Sequence, residues 1–343
     1  MALWNRSART PDTRAAQIEQ FWQWWSAGGA DACGDAVGKD DPTDLVDVLA
    51  PRVEAIHTGL AWEIAPGREA VHLLVVSADG DPELRALARR WRDAGPGPDA
   101  IWSYADARPG LVDLAGATIE VGGHEVDLDR VRVGVRRVGT RVDVAVSHPV
   151  MAQLGDQRTL ATFLILDSAL GEVQTETWIG ELAPSDVAPL DGFGLSGLRA
   201  VVRDLAQEFV GADGAPVWVQ LQGTGPGGPV VATARVPLAA ASEPLLDTHV
   251  AVTVPYDRAD DGMPTPEGLS ALRTVEDALA DSLGEGGQLI AHETTAGARR
   301  LHYYLDGSST VPDQVVATAR EHVGKRNVER EYDPGWSAVQ HLR

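Results

Sequence analysis

The last hundred residues alternate strand-like and helix-like segments in an order that few folds share. Strand patterns place apolar residues at every second position, and helix patterns place them at every third and fourth. Thr265, Pro266 and Glu267 signal the start of the first helix, and Gly284 and Gly324 end the two helices. The predicted segments are strand 250–255, helix 267–283, strands 288–293 and 299–305, helix 313–323 and strand 327–332. Residues 245–343 are therefore predicted to form a ferredoxin-like βαββαβ domain.

The preceding chain, residues 1–240, is predicted to be a larger α+β domain with an antiparallel sheet. Its predicted helices are 13–27, 42–56, 82–94, 157–170 and 195–209. Its predicted strands are 61–64, 69–78, a meander within 101–148, 173–182 and a hairpin of 217–221 with 229–236. The Gly-rich acidic stretch 28–41 is typical of a mobile linker, and the proline-bracketed stretch 237–247 predicts the domain boundary.

The charge balance excludes several function classes. Among 343 residues, 29 are Lys or Arg and 50 are Asp or Glu, which gives a formal net charge of −21. Such a surface repels phosphate backbones and anionic lipids, so direct binding to nucleic acid or to membranes is not expected. A basic protein surface is the expected partner.

Cysteine usage and targeting signals indicate the cytoplasm. Cys33 is the single cysteine, so neither an intramolecular disulfide nor a zinc-ligand pattern is expected. The N-terminal residues lack the apolar run of a signal peptide, and no stretch approaches the ~20 apolar residues of a membrane helix. The oligomeric state does not follow from the sequence.

Several motifs in the C-terminal segment occur together: VPYD at 254–257, DDGMP at 260–264, LRTVEDAL at 272–279, TTAGARRLHYYLD at 294–306 and YDPGW at 332–336. As a set they resemble the bacterial domain of unknown function 695. That family is similar to the regulator of ribonuclease activity B, an acidic ferredoxin-like protein that binds and inhibits an endoribonuclease. The resemblance covers about the last 100 residues. It implies a ferredoxin-like fold and a nuclease as one kind of partner, and it transfers no catalytic site.

Two segments of the N-terminal part extend this resemblance. FWQWW at 21–25 and FLILDSALGEVQTETWIGEL at 163–182 look like the region that precedes the domain in related uncharacterised proteins.

Three carboxylates of the larger domain are the candidates for catalysis. Asp167 falls on the apolar face of its predicted helix, and Glu172 and Glu176 follow closely. Carboxylates that share a low-dielectric site raise one another's pKa and can act as a general acid or hold a metal. The alternative is that Asp167 accepts structural hydrogen bonds.

Residues of the C-terminal segment are the candidates for protein contact: Tyr256, Asp257, Asp260, Asp261 and Trp336. The spacing D-x-x-D-D-G lacks the ligand alternation of an EF-hand, so a turn is the alternative to a calcium site. Exposed Trp and Tyr dominate the energetics of interfaces. For Trp336, the alternative is that it seals the edge of the small domain.

Other patterns carry less chemical information. The histidines His249, His292, His302 and His322 all lie in the small domain, without the spacing of a metal-binding motif. The GTGPGG loop at 223–228 is followed by a strand pattern and not by a helix, which argues against a phosphate-binding loop.

These observations favour a cytoplasmic, non-catalytic regulator that binds a basic partner protein, with no cofactor. The alternative is a hydrolase that uses Asp167, Glu172 and Glu176, with or without a metal ion.

Overall fold

The structure is a computed structural model that describes residues 11–37, 43–225 and 227–343, and it is a mixed α+β protein. The chain divides into two compact units, residues 1–108 and 109–343. No helix within the described ranges is long and apolar enough to cross a membrane.

The first unit consists of helices around a small mixed sheet. In chain order its elements are α1 (Pro11–Trp24), α2 (Ala30–Val37), α3 (Thr43–Ile56), β1 (Ala61–Pro66), β2 (His72–Ser77), α4 (Pro82–Asp93) and β3 (Trp102–Ala105). Strand β2 pairs antiparallel with β1 and parallel with β3. Asp81 caps α4 by accepting a hydrogen bond from the Glu83 backbone N–H, and Pro82 occupies the first helical turn, in agreement with the helix predicted at 82–94.

Aromatic side chains dominate the core of this unit. Phe21, Trp22 and Trp25, which lie within the helix predicted at 13–27, are buried on one face of α1 and the turn after it. The indole N–H of Trp22 donates to the carbonyl of Trp91 at 2.7 Å, and that of Trp25 donates to the Tyr104 hydroxyl at 2.9 Å. The indoles of Trp22 and Trp25 therefore retain hydrogen-bond partners in the core.

The stretch predicted as a mobile linker is mostly helix. Gly28 has a φ of +127° and interrupts the first helix, and residues 30–37 then form α2. Cys33 and Ala36 are buried at a spacing of three residues, so this short helix has an apolar face. The abundance of Gly and Asp hides that face in a composition-based prediction. Residues 38–41 of the predicted linker lie outside the described residues.

The second unit begins with two small sheets and three helices. Its elements are β4 (Thr118–Val121), β5 (His124–Asp127), β6 (Arg132–Val138), β7 (Arg141–Ser147), α5 (Arg158–Leu170), α6 (Glu172–Trp178), β8 (Ile179–Ser185), α7 (Leu195–Glu208), β9 (Val217–Gly225) and β10 (Gly228–Val236). Strands β4 and β5 form a hairpin, and β7 lies between antiparallel β6 and parallel β8. The predicted meander at 101–148 is thus divided among separate sheets.

Helix α6 occupies most of a segment that alternates like a strand. Gly171, with a φ of +86°, ends α5, and a new helix starts at Glu172. Thr175 and Trp178 are both buried, and their spacing of three residues fits a helix. The β-branched Val173, Thr175 and Thr177 suggested a strand, but packing overrides this local preference.

The remaining elements form the βαββαβ order that the sequence predicts: β11 (Leu246–Pro255), α8 (Pro266–Leu283), β12 (Gly287–Thr295), β13 (Ala298–Asp306), α9 (Val311–Val323) and β14 (Val328–Tyr332). Their strands lie in the order β14, β11, β13, β12, and each pairs antiparallel with its neighbour. Helices α8 and α9 bury one sheet face through the cluster that contains Val250, Val252, Leu272, Leu279, Leu301, Tyr303 and Val315.

The sheet continues beyond this set of four strands. Strand β10 pairs with β12, and β9 pairs with β10, which confirms the predicted hairpin and produces six strands in one sheet. The strands on both sides of residues 240–245 therefore share one sheet, and the compact units meet at residues 108 and 109 instead of at that predicted boundary. The proline-bracketed segment is buried at residues 238–241, so it is not a solvated linker. The chain before it and the chain after it are joined by backbone pairing.

The C-terminal residues cover the second face of the six-stranded sheet. A 3₁₀ helix, Ser337–Leu342, packs Val339 and Leu342 against Ala234, Ile290 and Tyr304. This face also carries the polar groups described below.

Candidate functional site

The three candidate catalytic carboxylates lie around the junction of two helices. Asp167 is partly buried near the end of α5, and its carbonyl accepts from the Gly171 N–H at 2.8 Å. Glu172 opens α6, and the carbonyl of Glu176 accepts from Arg141 at 2.7 Å. In the part of the chain that the structure describes, no group of three His, Cys, Asp or Glu side chains is placed to hold a metal ion.

The acidic residues proposed for partner contact lie in the exposed loop between β11 and α8. Asp257, Asp260 and Asp261 are exposed. The carbonyl of Asp257 accepts from the Thr265 N–H at 2.9 Å, and the carboxylate of Asp261 accepts from the Met263 N–H at 2.9 Å. These are the hydrogen bonds of a turn.

Tyr256 is buried and organises this loop from inside. Its hydroxyl donates to the carbonyl of Gly262 at 3.0 Å. Burial raises the pKa of Tyr256 above its ordinary value. The side chain therefore supports the loop conformation and offers little surface to a partner.

Trp336 is fully buried, which differs from its place among the candidate contact residues. Its indole N–H donates to the carbonyl of Leu246 at 2.8 Å, and its ring stacks on Tyr304 at a centroid distance of 4.6 Å. The structure thus matches the alternative interpretation, in which Trp336 seals the sheet, because a side chain in this position has no surface left for a partner.

Asp333 holds the C-terminal segment to the sheet. Its carboxylate accepts hydrogen bonds from the Tyr304 hydroxyl at 2.6 Å, the Ser337 hydroxyl at 2.6 Å, and the N–H groups of Ser337 at 2.9 Å and Ala338 at 3.0 Å. Burial alone would raise the pKa of Asp333, but the hydrogen bonds from Ala338, Ser337 and Tyr304 outweigh it and lower the pKa. The carboxylate is therefore a buried, ionised anchor.

Of His249, His292, His302 and His322, the structure brings the first and the third together. His249 on β11 and His302 on β13 are each 2% exposed. His292 neighbours Glu293 in β12 and so faces the opposite side of the sheet, and His322 is exposed on α9. A cluster of three histidine ligands is not formed among these residues.

A line of hydrogen-bonding groups crosses four strands on the second sheet face, and we call it the histidine chain. Glu331 Oε1 lies 3.0 Å from His249 Nδ1, and His249 Nε2 lies 3.0 Å from His302 Nδ1. Glu293 Oε1 lies 3.1 Å from both His302 Nε2 and His341 Nε2. The line therefore begins on β14, passes through β11 and β13 to β12, and ends on the C-terminal 3₁₀ helix.

Strand register places these groups in contact. Glu331 lies directly opposite His249, and His302 is the diagonal neighbour of His249 because it lies two residues before Tyr304, the partner of His249. The sequence contains the signal that His302 alternates with Leu301 and Tyr303, and so faces away from α8 and α9. It does not contain the register, and for this reason the pair could not be identified from sequence alone.

In the histidine chain, burial and hydrogen bonding shift the pKa values of the side chains in opposite directions. Burial lowers the pKa of His249, whereas its hydrogen bond with Glu331 acts in the opposite direction. The hydrogen bond with His302 lowers the pKa of Glu293, against the effect of burial. At His249 and Glu293, hydrogen bonds between carboxylate and imidazole thus act against the effect of burial.

A second distinctive feature is the outer edge of β9. Strand β9 pairs with β10 over nine consecutive residues without a bulge, and within the described ranges β10 is its one strand partner. Its sequence, VWVQLQGTG, contains neither a charged residue nor a proline. Trp218 is 42% exposed and Leu221 is 38% exposed, and their odd spacing places them on opposite faces of the strand.

Comparison with known proteins adds no further assignment: no protein-family model, no curated protein and no solved structure matches this chain. The resemblance described from the sequence motifs remains a prediction.

Proposed function

We propose that this protein is a non-catalytic regulator that captures an extended segment of a basic partner protein by adding it as a seventh strand along β9. The observation that carries the proposal is the uncharged, unbulged free edge of β9. An edge strand presents unpaired N–H and C=O groups, and an added strand satisfies them.

The two edges of the same sheet differ in a way that supports this proposal. The opposite edge, β14, has the sequence VEREY, in which Glu329, Arg330 and Glu331 each bind an oppositely charged or imidazole side chain. Charged residues are a common means of preventing unwanted pairing at a sheet edge. The Val217 N–H at the start of β9 donates to the Phe209 carbonyl at 3.1 Å. Beyond Val217, β9 lacks charged protection, although it is the longer edge.

The side chains of β9 provide contacts beyond the backbone. Trp218 presents apolar surface on one face of the sheet, and Leu221 presents it on the other. Alternate side chains of an added strand would lie beside them. Exposed aromatic residues of this kind contribute strongly to binding energy.

The charge of the chain selects the partner. With 50 acidic and 29 basic residues, the protein attracts a basic segment, and the exposed loop with Asp257, Asp260 and Asp261 adds to this field. Complementary charge speeds encounter and rejects acidic competitors, while backbone pairing and apolar contact supply affinity. An endoribonuclease, which the resemblance implies, is the first partner to test.

The experiment compares the partner protein captured by the wild-type protein with that captured by the double variant Gln220→Lys, Gln222→Lys. Both positions are exposed on β9. Two lysines there repel a basic segment and prevent it from pairing with the strand edge. The matched control, Ala271→Lys with Thr274→Lys, makes the same charge change at exposed positions of α8. We expect a stoichiometric partner that the β9 variant loses and the control retains.

Hydrogen exchange of the purified complex then locates the contact. The expected result is new protection of alternate amides within residues 218–224, those that point away from β10. A partner that binds the β9 variant as well as the wild type, and that protects another surface, would contradict the proposal. No specific observation favours the hydrolase alternative with Asp167, Glu172 and Glu176 as its site.

A further inference from the structure

We infer that His249 and His302 act as one proton-binding unit, which takes up a single proton between their facing nitrogens and thereby closes the contact between Glu331 and the sheet. This inference does not depend on the proposed partner. It follows from counting the protons that the three contacts of the two rings require.

The two rings have four nitrogens and three polar contacts. His249 Nδ1 and His302 Nε2 each face a carboxylate oxygen, so each must carry a hydrogen to donate. The contact between His249 Nε2 and His302 Nδ1, at 3.0 Å, needs one hydrogen, because two bare nitrogens repel and two N–H groups collide. Three hydrogens satisfy every contact, whereas two neutral imidazoles carry only two. The complete arrangement therefore holds one net positive charge.

When the pair is neutral, one of the three contacts must open. Glu293 is 21% exposed and is also held by His341, whereas the side chain of Glu331 is 62% exposed. Water can replace the lost hydrogen bond of Glu331 at low cost, so this is the contact that opens. In this state His302 donates to Glu293, His249 donates through Nε2 to His302, and His249 Nδ1 is bare.

A fourth hydrogen is also excluded while the rings remain in contact. It would place two N–H groups in the 3.0 Å gap between His249 and His302, and it would bring two imidazolium charges together inside the protein. The pair therefore titrates as a unit with one proton, in the manner of coupled sites.

The charged surroundings favour this single cation. The titratable and charged groups that face the two rings are Glu329 and Glu331 on β14, Arg300 and Tyr304 on β13, Glu293 on β12, and Asp333 and His341 at the C-terminal end. Four of these groups are carboxylates and one is an arginine. Burial opposes the charge and holds the pKa of His249 below its ordinary value, so the proton binds at a lower pH than it binds a free imidazole.

Proton uptake then changes the edge of the sheet. The side chain of Glu331 moves from solvent to His249, which fastens β14 to β11 at their directly opposed residues. The structural effect is confined to the charged edge of the sheet.

The test is nuclear magnetic resonance of the full-length protein labelled with ¹⁵N at histidine, titrated from pH 8 to pH 5. At pH 8 we expect His249 to carry hydrogen at Nε2 and not at Nδ1. As the pH falls, the signals of both rings should move together with one midpoint and a total of one proton, and a His249 Nδ1–H signal should appear.

Two variants of one strand separate a hydrogen bond from a general charge effect. Glu331→Gln should lower the common midpoint by roughly half a unit to one unit and weaken the Nδ1–H signal. Glu329→Gln removes the same charge from the same strand but from a side chain bound to Arg300, and it should leave the Nδ1–H signal intact. Two separate midpoints with a whole proton each, a protonated Nδ1 of His249 at pH 8, or an unchanged midpoint in Glu331→Gln would overturn the inference.

Discussion

Trp218 and Trp336 show how differently one residue type is used on the same sheet. Trp336 follows a Pro-Gly turn and has a φ of +54°, and its ring is nevertheless fully buried between Tyr304 and the C-terminal 3₁₀ helix. Trp218 projects from the free edge of β9 with much of its ring in solvent. The sequence contains a surplus of tryptophan over the other aromatic residues. The position of each ring, however, depends on packing partners distant along the chain.

Replacement of these two residues by alanine should therefore have unequal effects on stability. Trp336→Ala removes a buried ring and leaves the carbonyl of Leu246 without its donor, so we expect the free energy of unfolding to fall by about 3–5 kcal/mol. Trp218→Ala should cost about 1 kcal/mol or less, since the side chain is half-exposed. Denaturant titration followed by circular dichroism measures both, and equal losses would contradict the placement of Trp336.

At the scale of elements, sequence patterns were sufficient where local signals agreed. Helix α8 is marked by Thr265 and Pro266, and its cap and bounds are confirmed. Helix α6 was predicted as a strand because β-branched residues alternate there, and α2 was predicted as a linker because glycine and aspartate predominate. In these two segments a few buried contacts decide the structure, and a local pattern does not contain them.

The reactivity of Cys33 tests directly whether residues 30–37 form the buried helix α2 and not a mobile linker. Burial raises the pKa of its thiol to about 11, so the reactive thiolate is scarce near neutral pH and the sulfur is shielded. We expect labelling by a thiol reagent at pH 8 to be slow in the native protein and complete within the mixing time in denaturant. Fast labelling of the native protein would show that residues 30–37 behave as the linker that their composition suggests.

For the molecule as a whole, the strongest sequence-based result is the βαββαβ order, and the weakest is the division of the chain. The proline-bracketed segment 237–247 has the composition of a boundary, yet β10 before it pairs with β12 after it. Pairing between distant strands is not encoded in local composition. The histidine chain could not be predicted for the same reason, because its members come from four strands and the C-terminal helix.

The stability of residues 109–343 should decline as the pH falls from 7.5 to 5.5. Burial is the main cause that lowers the pKa of His148, His249 and His292 in the folded state. The unfolded chain then binds protons at a higher pH than the folded chain, so stability that is fully present above pH ~6.5 is lost as the pH falls through the folded values. Carboxylates titrate near pH 4 and therefore contribute little to the change over this interval.

Denaturant titrations at pH 7.5, 6.5 and 5.5 measure this decline. His148→Gln should make it shallower, whereas His322→Gln, at an exposed position of α9, should leave it unchanged. A free energy of unfolding that is constant over this interval, or equal slopes in the two variants, would contradict the assignment of the decline to buried imidazoles.

The crowded indoles of the first unit also give the protein a built-in optical reporter. Seven of the ten tryptophans belong to residues 1–108, and the rings of Trp22 and Trp91 stack at 4.9 Å. Intrinsic fluorescence will therefore be weighted towards this unit, whereas far-ultraviolet dichroism averages over the backbone of the whole chain. If the two signals change at different denaturant concentrations, the units unfold in separate steps, and the order of those steps can be determined without adding a dye.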